Sequence, residues 1–145
     1  MKNTLIFQPF FSLIALTLVI WIAMYVKRTS YILAEKLSLR SVDTPAKMDR
    51  VVPTEVNLPA YALRNLLELP IIFYVLCLYL FATDSVDQFY LAAAWLFVAG
   101  RIIHAAIYCT SNRVMHRFRA YFLSSLILWA MVLRAAYFAF FPGAT

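Results

Sequence analysis

The composition of this 145-residue chain is that of a protein embedded in a membrane. Hydrophobic residues make up 64% of the chain and charged residues 14%, and the mean hydropathy is +0.78. Average soluble domains are about half apolar and about a quarter charged. A membrane-spanning helix takes about 20 residues, so four such helices would use most of the chain. The length therefore excludes a separate soluble domain, and we predict a single membrane domain over residues 1–145.

The formal net charge of +6 does not indicate a nucleic-acid partner. The basic residues cluster beside the apolar runs, as signals of membrane topology do, and no zinc spacing or nucleic-acid-binding motif accompanies them. The lipid bilayer is the expected partner instead. The two cysteines, Cys77 and Cys109, lie in apolar runs without a CxxC spacing. They are interpreted as small buried hydrophobic residues, and no metal site is expected.

Four apolar runs are predicted to cross the bilayer as α-helices, so the expected fold is an all-α, four-transmembrane-helix bundle. The runs cover residues 5–26, 60–82, 89–108 and 118–141. The one long polar stretch, residues 27–58, contains Pro45 and Pro53 and ends just before Pro59, which excludes one continuous helix. We expect this stretch to be a loop over the membrane face. Within the second run, Pro70 removes a backbone hydrogen bond and is expected to kink the helix.

The basic residues also predict the orientation of the chain. Lys and Arg concentrate in the segments 27–64 and 113–119, whereas the turn between the second and third runs carries only the acidic Asp84 and Asp87. The positive-inside rule places both basic loops in the cytoplasm and both termini outside. We therefore expect an integral, multi-pass membrane protein, in the inner membrane if the source cell is bacterial. Arg134, near the end of the fourth run, is expected to reach the membrane surface.

Polar side chains recur at helical spacing where the second and third runs approach the cytoplasm. On the second run they stand at i, i+3, i+4 and i+7 and share one face: Tyr61, Arg64, Asn65 and Glu68. On the third run they form one stripe: Arg101, His104, Tyr108 and Asn112. The series continues in steps of four at Arg113, Arg117 and Tyr121. Ionisable groups in lipid are costly unless they face a partner or a water-filled cavity, so the pattern indicates a binding site.

A purely structural alternative explains part of this pattern. An ion pair between Glu68 and Arg101, on adjacent antiparallel helices, would keep both charges from facing lipid alone. The pair leaves Asn65, His104 and the residues that follow them without an explanation. Both interpretations stay open at this point.

Two motifs in the chain resemble one family of membrane proteins. The segment RNLLELP, residues 64–70, has the pattern N-x-x-E-x-P. The segment RIIHAAIYCTSNRVMHRFRAY, residues 101–121, has R-x-x-H-x-x-x-Y followed by R-x-x-x-R-x-x-x-Y. In this order, and in a chain of this length and topology, they resemble the MAPEG family, the membrane-associated proteins in eicosanoid and glutathione metabolism. The resemblance covers essentially the whole chain.

The resemblance implies an assembly, a ligand and a set of site residues. The assembly is a homotrimer of four-helix bundles, with glutathione as co-substrate between neighbouring subunits near the cytoplasmic face. Arg117 matches the arginine credited with stabilising the thiolate, and Asn65 and Glu68 match the pair that holds the peptide and amine groups of glutathione. The other matched positions are Arg64, Arg101, His104, Tyr108, Arg113 and Tyr121. A cation beside a thiol lowers its pKa and so increases the amount of nucleophilic thiolate.

Two positions depart from the family pattern and leave two functions open. Tyr61 stands where glutathione-binding members usually have an arginine, and Leu69 stands where a tyrosine often follows the glutamate. Arg28 is the nearest candidate for the first-helix arginine of some members. The first function is an enzyme that conjugates glutathione to small hydrophobic electrophiles in the bilayer, or reduces them with it. The second is a non-catalytic membrane scaffold or partner-binding protein, which Tyr61 favours, whereas the basic series ending at Arg117 favours the enzyme.

Overall fold

Six α-helices make up most of the structure, a computed structural model that describes residues 2–141. They are α1 (Phe7–Ala34), α2 (Pro45–Val51), α3 (Thr54–Leu66), α4 (Leu69–Ala82), α5 (Gln88–Cys109) and α6 (Val114–Phe140). Four segments are long and apolar enough to cross a membrane: Asn3–Ala34, Thr54–Ala82, Gln88–Cys109 and Val114–Phe140. Residues 2–141 contain no β-strand. The predicted fold class, an all-α membrane bundle of four spanning segments, is confirmed.

Helices α5 and α6 pack against each other more extensively than any other pair, and α1 and α3 also pack against α5. Phe97 of α5 and Leu128 of α6 are fully buried in the core between them. The two helices lie in close contact at Gly100, where a Cβ atom would lie only 2.7 Å from the Cβ of Ser124. Small residues let the backbones of membrane helices come together in this way. Gly100 therefore sets the distance between the two helices that carry most of the candidate site.

The second spanning segment is broken where a kink was expected. Helix α3 ends at Leu66 and α4 begins at Leu69, and Glu68 between them has the non-helical dihedrals φ −97° and ψ −99°. Pro70 occupies the first turn of α4, where its missing N–H does least harm. The proline thus starts a new helix rather than bending one helix. The side chains after Leu66 therefore do not continue the helical faces of α3.

The stretch 27–58, expected to be a loop, is largely helical. Helix α1 continues to Ala34, and two further helices begin at Pro45 and directly after Pro53. These two prolines lie at helix starts, which tolerate them because the first N–H groups of a helix have no partner within it. The prolines separate the helices instead of preventing them. The expectation of a loop was therefore wrong for most of this stretch.

The start of α3 is attached to α1 through a buried amide. The side chain of Asn57 is fully buried, accepts a hydrogen bond from the Nε of Arg28 at 2.9 Å, and donates one to the carbonyl of Val52 at 3.2 Å. Both polar atoms of the amide therefore have partners, as a buried polar group requires. Arg28, the candidate first-helix arginine, contributes to the packing of α1 on α3.

Arg134, expected to reach the membrane surface, packs on the turn between α4 and α5. Its Nη2 lies 2.5 Å from a carboxylate oxygen of Asp87, and its guanidinium lies 4.5 to 4.7 Å from the ring centroids of Tyr90 and Phe89. Asp87 also caps α5 by accepting a hydrogen bond from the N–H of Tyr90 at 2.9 Å. Partial burial alone would raise the pKa of Asp87, but the hydrogen bonds from Arg134 and from the α5 backbone outweigh it and lower that pKa.

The close contact at Gly100 predicts whether a substitution there raises or lowers the free energy of unfolding. In an exposed helix interior, alanine is about 1 kcal/mol more favourable than glycine. We expect Gly100→Ala to lower the free energy of unfolding nevertheless, because overpacking a buried contact typically costs about 1–3 kcal/mol. The measurement is unfolding by sodium dodecyl sulfate in mixed micelles, followed by circular dichroism. Adding Ser124→Gly should restore part of the loss, whereas a Gly100→Ala protein more stable than the wild type would disprove the close contact.

The two roles of Asp87 can be separated by substitution and by pH. Asp87→Ser keeps a capping oxygen and loses only the partly exposed ion pair, so it should cost less than about 1 kcal/mol. Asp87→Ala also loses the cap, which adds about 0.5–2 kcal/mol. Because the folded-state pKa of Asp87 is lowered, the contribution of its charge is complete above the unfolded pKa of about 3.9 and is lost as the pH falls further. The stability difference between wild type and Asp87→Ser should therefore shrink below about pH 4. A difference independent of pH would contradict this account.

Candidate functional site

A cavity of about 280 Å³ lies where α5 ends and α6 begins, against the end of α3. Its lining consists of Asn65, His104, Tyr108, Val114, Arg117, Phe118 and Tyr121. His104 and Tyr108 stand one turn apart on α5, and Arg117 and Tyr121 stand one turn apart on α6. The structure thus brings five of the nine site residues predicted from sequence to one cavity. We call it the polar pocket.

The turn between α5 and α6 positions Arg117. Asn112 in this turn has a positive φ of 45°, a left-handed conformation that asparagine adopts more readily than most residues. Its side-chain oxygen accepts a hydrogen bond from Nη1 of Arg117 at 2.7 Å. The guanidinium also lies 4.1 Å from the ring centroid of Tyr108, a cation–π contact. Arg117 is therefore held from two sides, and its other N–H groups remain available to an anionic ligand.

His104 lies on the lining of the pocket, and Arg101 is buried behind the lining residue Tyr121. The ring of His104 lies 5.7 Å from that of Tyr108 and 5.6 Å from that of Tyr121, and the guanidinium of Arg101 lies 5.0 Å from the Tyr121 ring. Arg101 is completely buried and donates one hydrogen bond, from Nη2 to the backbone carbonyl of Asn65 at 2.6 Å. That carbonyl lies in the last turn of α3, where the break after Leu66 interrupts the backbone hydrogen bonding of the helix.

Three buried nitrogen atoms beside the pocket have no hydrogen-bond partner among residues 2–141: Nε and Nη1 of Arg101 and Nδ1 of His104. A buried charge with unsatisfied donors is costly. The two free nitrogen atoms of Arg101 suit an anionic or zwitterionic ligand that supplies acceptors, such as a peptide carboxylate, although Arg101 itself is not among the residues that line the pocket. No carboxylate among residues 2–141 accepts a hydrogen bond from these atoms.

The alternative of an ion pair between Glu68 and Arg101 was wrong for the described chain. Glu68 is exposed, and no salt bridge joins it to Arg101 within residues 2–141. The reason is the helix break, because the residue after Leu67 no longer follows the helical spacing that would place it on the face of Tyr61 and Asn65. Glu68 lies beside the break, outside the polar pocket.

Arg64 and Arg113 also lie outside the polar pocket. Arg64 is exposed and lines a second cavity of about 440 Å³, which it shares with Arg28 and with residues of α2. The hydroxyl of Tyr61 donates a hydrogen bond to Asp49 at 3.0 Å and so ties α3 to α2. Arg113 is exposed and precedes the first residue of α6. Positively charged residues that the sequence predicts at one site therefore line two different cavities: Arg64 lines one and Arg117 the other.

Two kinds of pocket residue escaped the sequence reasoning. Asn112 belongs to the polar stripe, but its contact with Arg117 depends on a turn conformation that spacing does not indicate. Val114 and Phe118 form an apolar side of the pocket. Apolar residues at the start of a membrane helix carry no signal that separates pocket lining from lipid contact, so no sequence pattern would have found them.

The fold and the pocket define a class of protein: a helical membrane protein of four spanning segments, with a polar, arginine-lined pocket at one end of the bundle. The model of the MAPEG family matches residues 6–137 of the 145-residue chain. The chain therefore belongs to the MAPEG family, as its motifs predict. No curated protein and no solved structure matches the chain.

The unpaired state of Arg101 predicts an unusual tolerance to substitution. In the absence of added ligand, Arg101→Met should leave the free energy of unfolding unchanged or raise it, because a similar-sized apolar side chain removes a buried, incompletely bonded charge. Phe97→Ala on the same helix is the control and should cost about 3–5 kcal/mol. Combining Arg101→Met with Glu68→Gln should be additive within about 0.5 kcal/mol. Strong coupling between the two substitutions, measured by unfolding in mixed micelles, would show that Glu68 and Arg101 do form an ion pair.

Proposed function

We propose that this protein is a glutathione-dependent enzyme of the bilayer, in which Arg117 stabilises the thiolate of glutathione. The observation that carries the proposal is the fixed guanidinium of Arg117, held by Asn112 at 2.7 Å and by the Tyr108 ring at 4.1 Å on the lining of a polar pocket. A cation fixed before the ligand binds needs no reorganisation when negative charge develops on sulfur. The reaction class is conjugation of hydrophobic electrophiles, or their reduction.

The pocket residues have complementary tasks in this proposal. Glutathione supplies the nucleophile: its thiol proton passes to water, a carbon–sulfur bond forms, and the leaving group of the electrophile departs with the bonding electrons. Arg117 donates N–H groups to the sulfur and so favours its deprotonated form. The free nitrogen atoms of Arg101 and His104 bind acceptors on the peptide part of the ligand. The backbone carbonyl of Asn65 accepts the hydrogen bond from Arg101; its side-chain Nδ2 donates to the carbonyl of Tyr61, which leaves Oδ1 as the acceptor for a ligand in the pocket.

We further propose that the working unit is a homotrimer with the site shared between subunits. The polar pocket of one chain, about 280 Å³, lies at the lower limit of pockets for ligands of this size. Arg64 and Arg28 line a different cavity of the same chain, and Glu68 is exposed. Docking the cavity of one subunit against the polar pocket of another would assemble all these residues around one ligand. The divided arrangement in the single chain supports this proposal.

The orientation and the second substrate belong to the same proposal. The basic segments are placed on the cytoplasmic side by the positive-inside rule, which puts the polar pocket at that face, where glutathione is dissolved. Small hydrophobic electrophiles reach the pocket through the bilayer. Val114 and Phe118 give the pocket an apolar side that suits such a substrate.

One observation favours the non-catalytic alternative. Tyr61 stands at the position where glutathione-binding members usually have an arginine, and it donates a hydrogen bond to Asp49 that ties α2 to α3. In this alternative the protein keeps the scaffold and its polar contacts for structure or for binding a partner. Such a protein would lack turnover even where it binds glutathione.

Arg117 and Arg119 provide the test. Arg117→Ala should reduce turnover of a generic aryl halide by about 100-fold or more, as removal of a preorganised charge-stabilising donor does. Binding of glutathione, measured by calorimetry, should weaken less, because Asn65 and Arg101 still hold the rest of the ligand. Arg117→Lys keeps the charge but loses the planar fork, so partial activity is expected. Arg119→Ala is the matched control, since Arg119 is exposed and lies outside the pocket.

Three outcomes would count against the proposal. An equal effect of Arg117→Ala and Arg119→Ala would mean that both arginines act only as topology charges. Unchanged turnover in Arg117→Ala would place the site elsewhere. Binding of glutathione without turnover in the unmodified protein would establish the non-catalytic alternative.

A further inference from the structure

A second polar cavity lies at the opposite end of the bundle from the polar pocket. Its volume is about 560 Å³, and Asp84, Asp87, Tyr90 and Arg134 contribute to its lining. Along α6, Arg134 is roughly 20 Å from Tyr121 at a rise of 1.5 Å per residue, so the two cavities are separate. Asp84 and Asp87 belong to the turn between α4 and α5, which places this cavity at the membrane surface.

This cavity continues into an apolar groove between α4 and α6. The groove has a volume of about 440 Å³ and shares Tyr79 and Ala135 with the cavity. Helix α4 packs far less extensively against α6 than α5 does, and the alanines of α6 at this face leave room between the helices. From Tyr79 to Ile71 the groove follows α4 for about 12 Å into the membrane-spanning part. Because the cavity and the groove adjoin at these two shared residues, we treat them as one amphipathic site, which we call the α4–α6 groove.

The apolar part of the α4–α6 groove is open to its surroundings. Val75 and Ile71 on its lining are 62% and 55% exposed. In a bilayer such a surface is covered by lipid chains or by protein. A narrow, continuous groove that starts at the membrane surface fits an acyl chain lying parallel to the helices.

The polar part of the α4–α6 groove has a charge pattern that selects a headgroup. Arg134 uses Nη2 for Asp87, and its buried Nη1 has no hydrogen-bond partner within residues 2–141. A phosphate oxygen is a suitable acceptor for this donor. Asp84 adds a second, exposed carboxylate, one oxygen of which accepts a hydrogen bond from the side chain of Asn3, so the lining of the cavity carries two negative charges and one positive charge. An excess negative charge disfavours an anionic lipid and favours a headgroup that carries an ammonium group beside its phosphate.

We propose that the α4–α6 groove binds a glycerophospholipid with an amine-bearing headgroup, the chemistry of phosphatidylethanolamine. The phosphate accepts a hydrogen bond from Nη1 of Arg134, the ammonium lies beside Asp84, and one acyl chain occupies the apolar part between α4 and α6. Binding of this lipid completes the hydrogen bonding of Arg134 and covers the exposed face of α4. The proposal does not depend on the activity assigned to the polar pocket.

Native mass spectrometry of the delipidated protein in detergent tests the proposal. The probes are phosphatidylethanolamine and phosphatidylglycerol with the same acyl chains, added in equal amounts. We expect the unmodified protein to retain phosphatidylethanolamine at least about fivefold better, the effect of one additional favourable charged contact. Arg134→Gln should reduce that retention about tenfold, by removing the charged donor. Ala136→Phe should abolish it by filling the apolar part, without altering the contact between Arg134 and Asp87.

Ala130→Phe is the matched control, because Ala130 lies on the same helix, is exposed and does not line the groove. It should retain lipid as the unmodified protein does. Equal retention of the two lipids would refute the headgroup assignment. Unchanged retention in Ala136→Phe, or equal loss in Ala130→Phe, would refute the groove. If Ala136→Phe instead changes the number of subunits and leaves lipid retention intact, a second copy of the chain covers the groove and the proposal is wrong.

Discussion

The break between α3 and α4 at Leu67 and Glu68 is the constraint on which the arrangement of the pocket end of the bundle depends. It removes the carbonyl of Asn65 from a continuous helical ladder and leaves it free to accept the hydrogen bond from Arg101. Glu68, at the same break, is exposed and forms no salt bridge with Arg101 within residues 2–141. One backbone feature, caused by Pro70 starting a new helix, thus joins α3 to α5 and leaves a buried guanidinium without a carboxylate partner.

Each end of the bundle contains an arginine in cation–π contact, Arg101 with one aromatic ring and Arg134 with three, but the hydrogen bonding of the two differs. Arg134 has a carboxylate partner in Asp87 and lies close to the surface. Arg101 is completely buried and bonded only through Nη2 to a neutral carbonyl. A buried charge in this state reduces stability unless something else binds it. Arg134 therefore contributes to the fold through Asp87, whereas the incomplete hydrogen bonding of Arg101 supports our proposal that Arg101 binds a ligand.

The geometry of α3 explains why polar residues predicted at one site line two cavities. Helix α3 presents Asn65 to the polar pocket and Arg64, the neighbouring residue, to another cavity. Neighbouring residues on a helix point about 100° apart, so one helix can serve two sites at once. A helix with this arrangement suits a bundle whose sites lie between subunits, which is the assembly we propose.

The sequence by itself determined the membrane class, the four spanning segments, the family and the polar face of each helix. These properties depend on composition and on spacing along one helix, which are local. The tertiary structure alone decided that Pro70 begins a new helix, that Glu68 and Arg101 form no salt bridge within residues 2–141, that Arg134 pairs with Asp87, and that Arg64 lines a different cavity from Asn65. Each of these depends on how one helix is rotated and placed against another. Periodicity gives the face of a helix but not its neighbour, so these contacts could not be read from the chain.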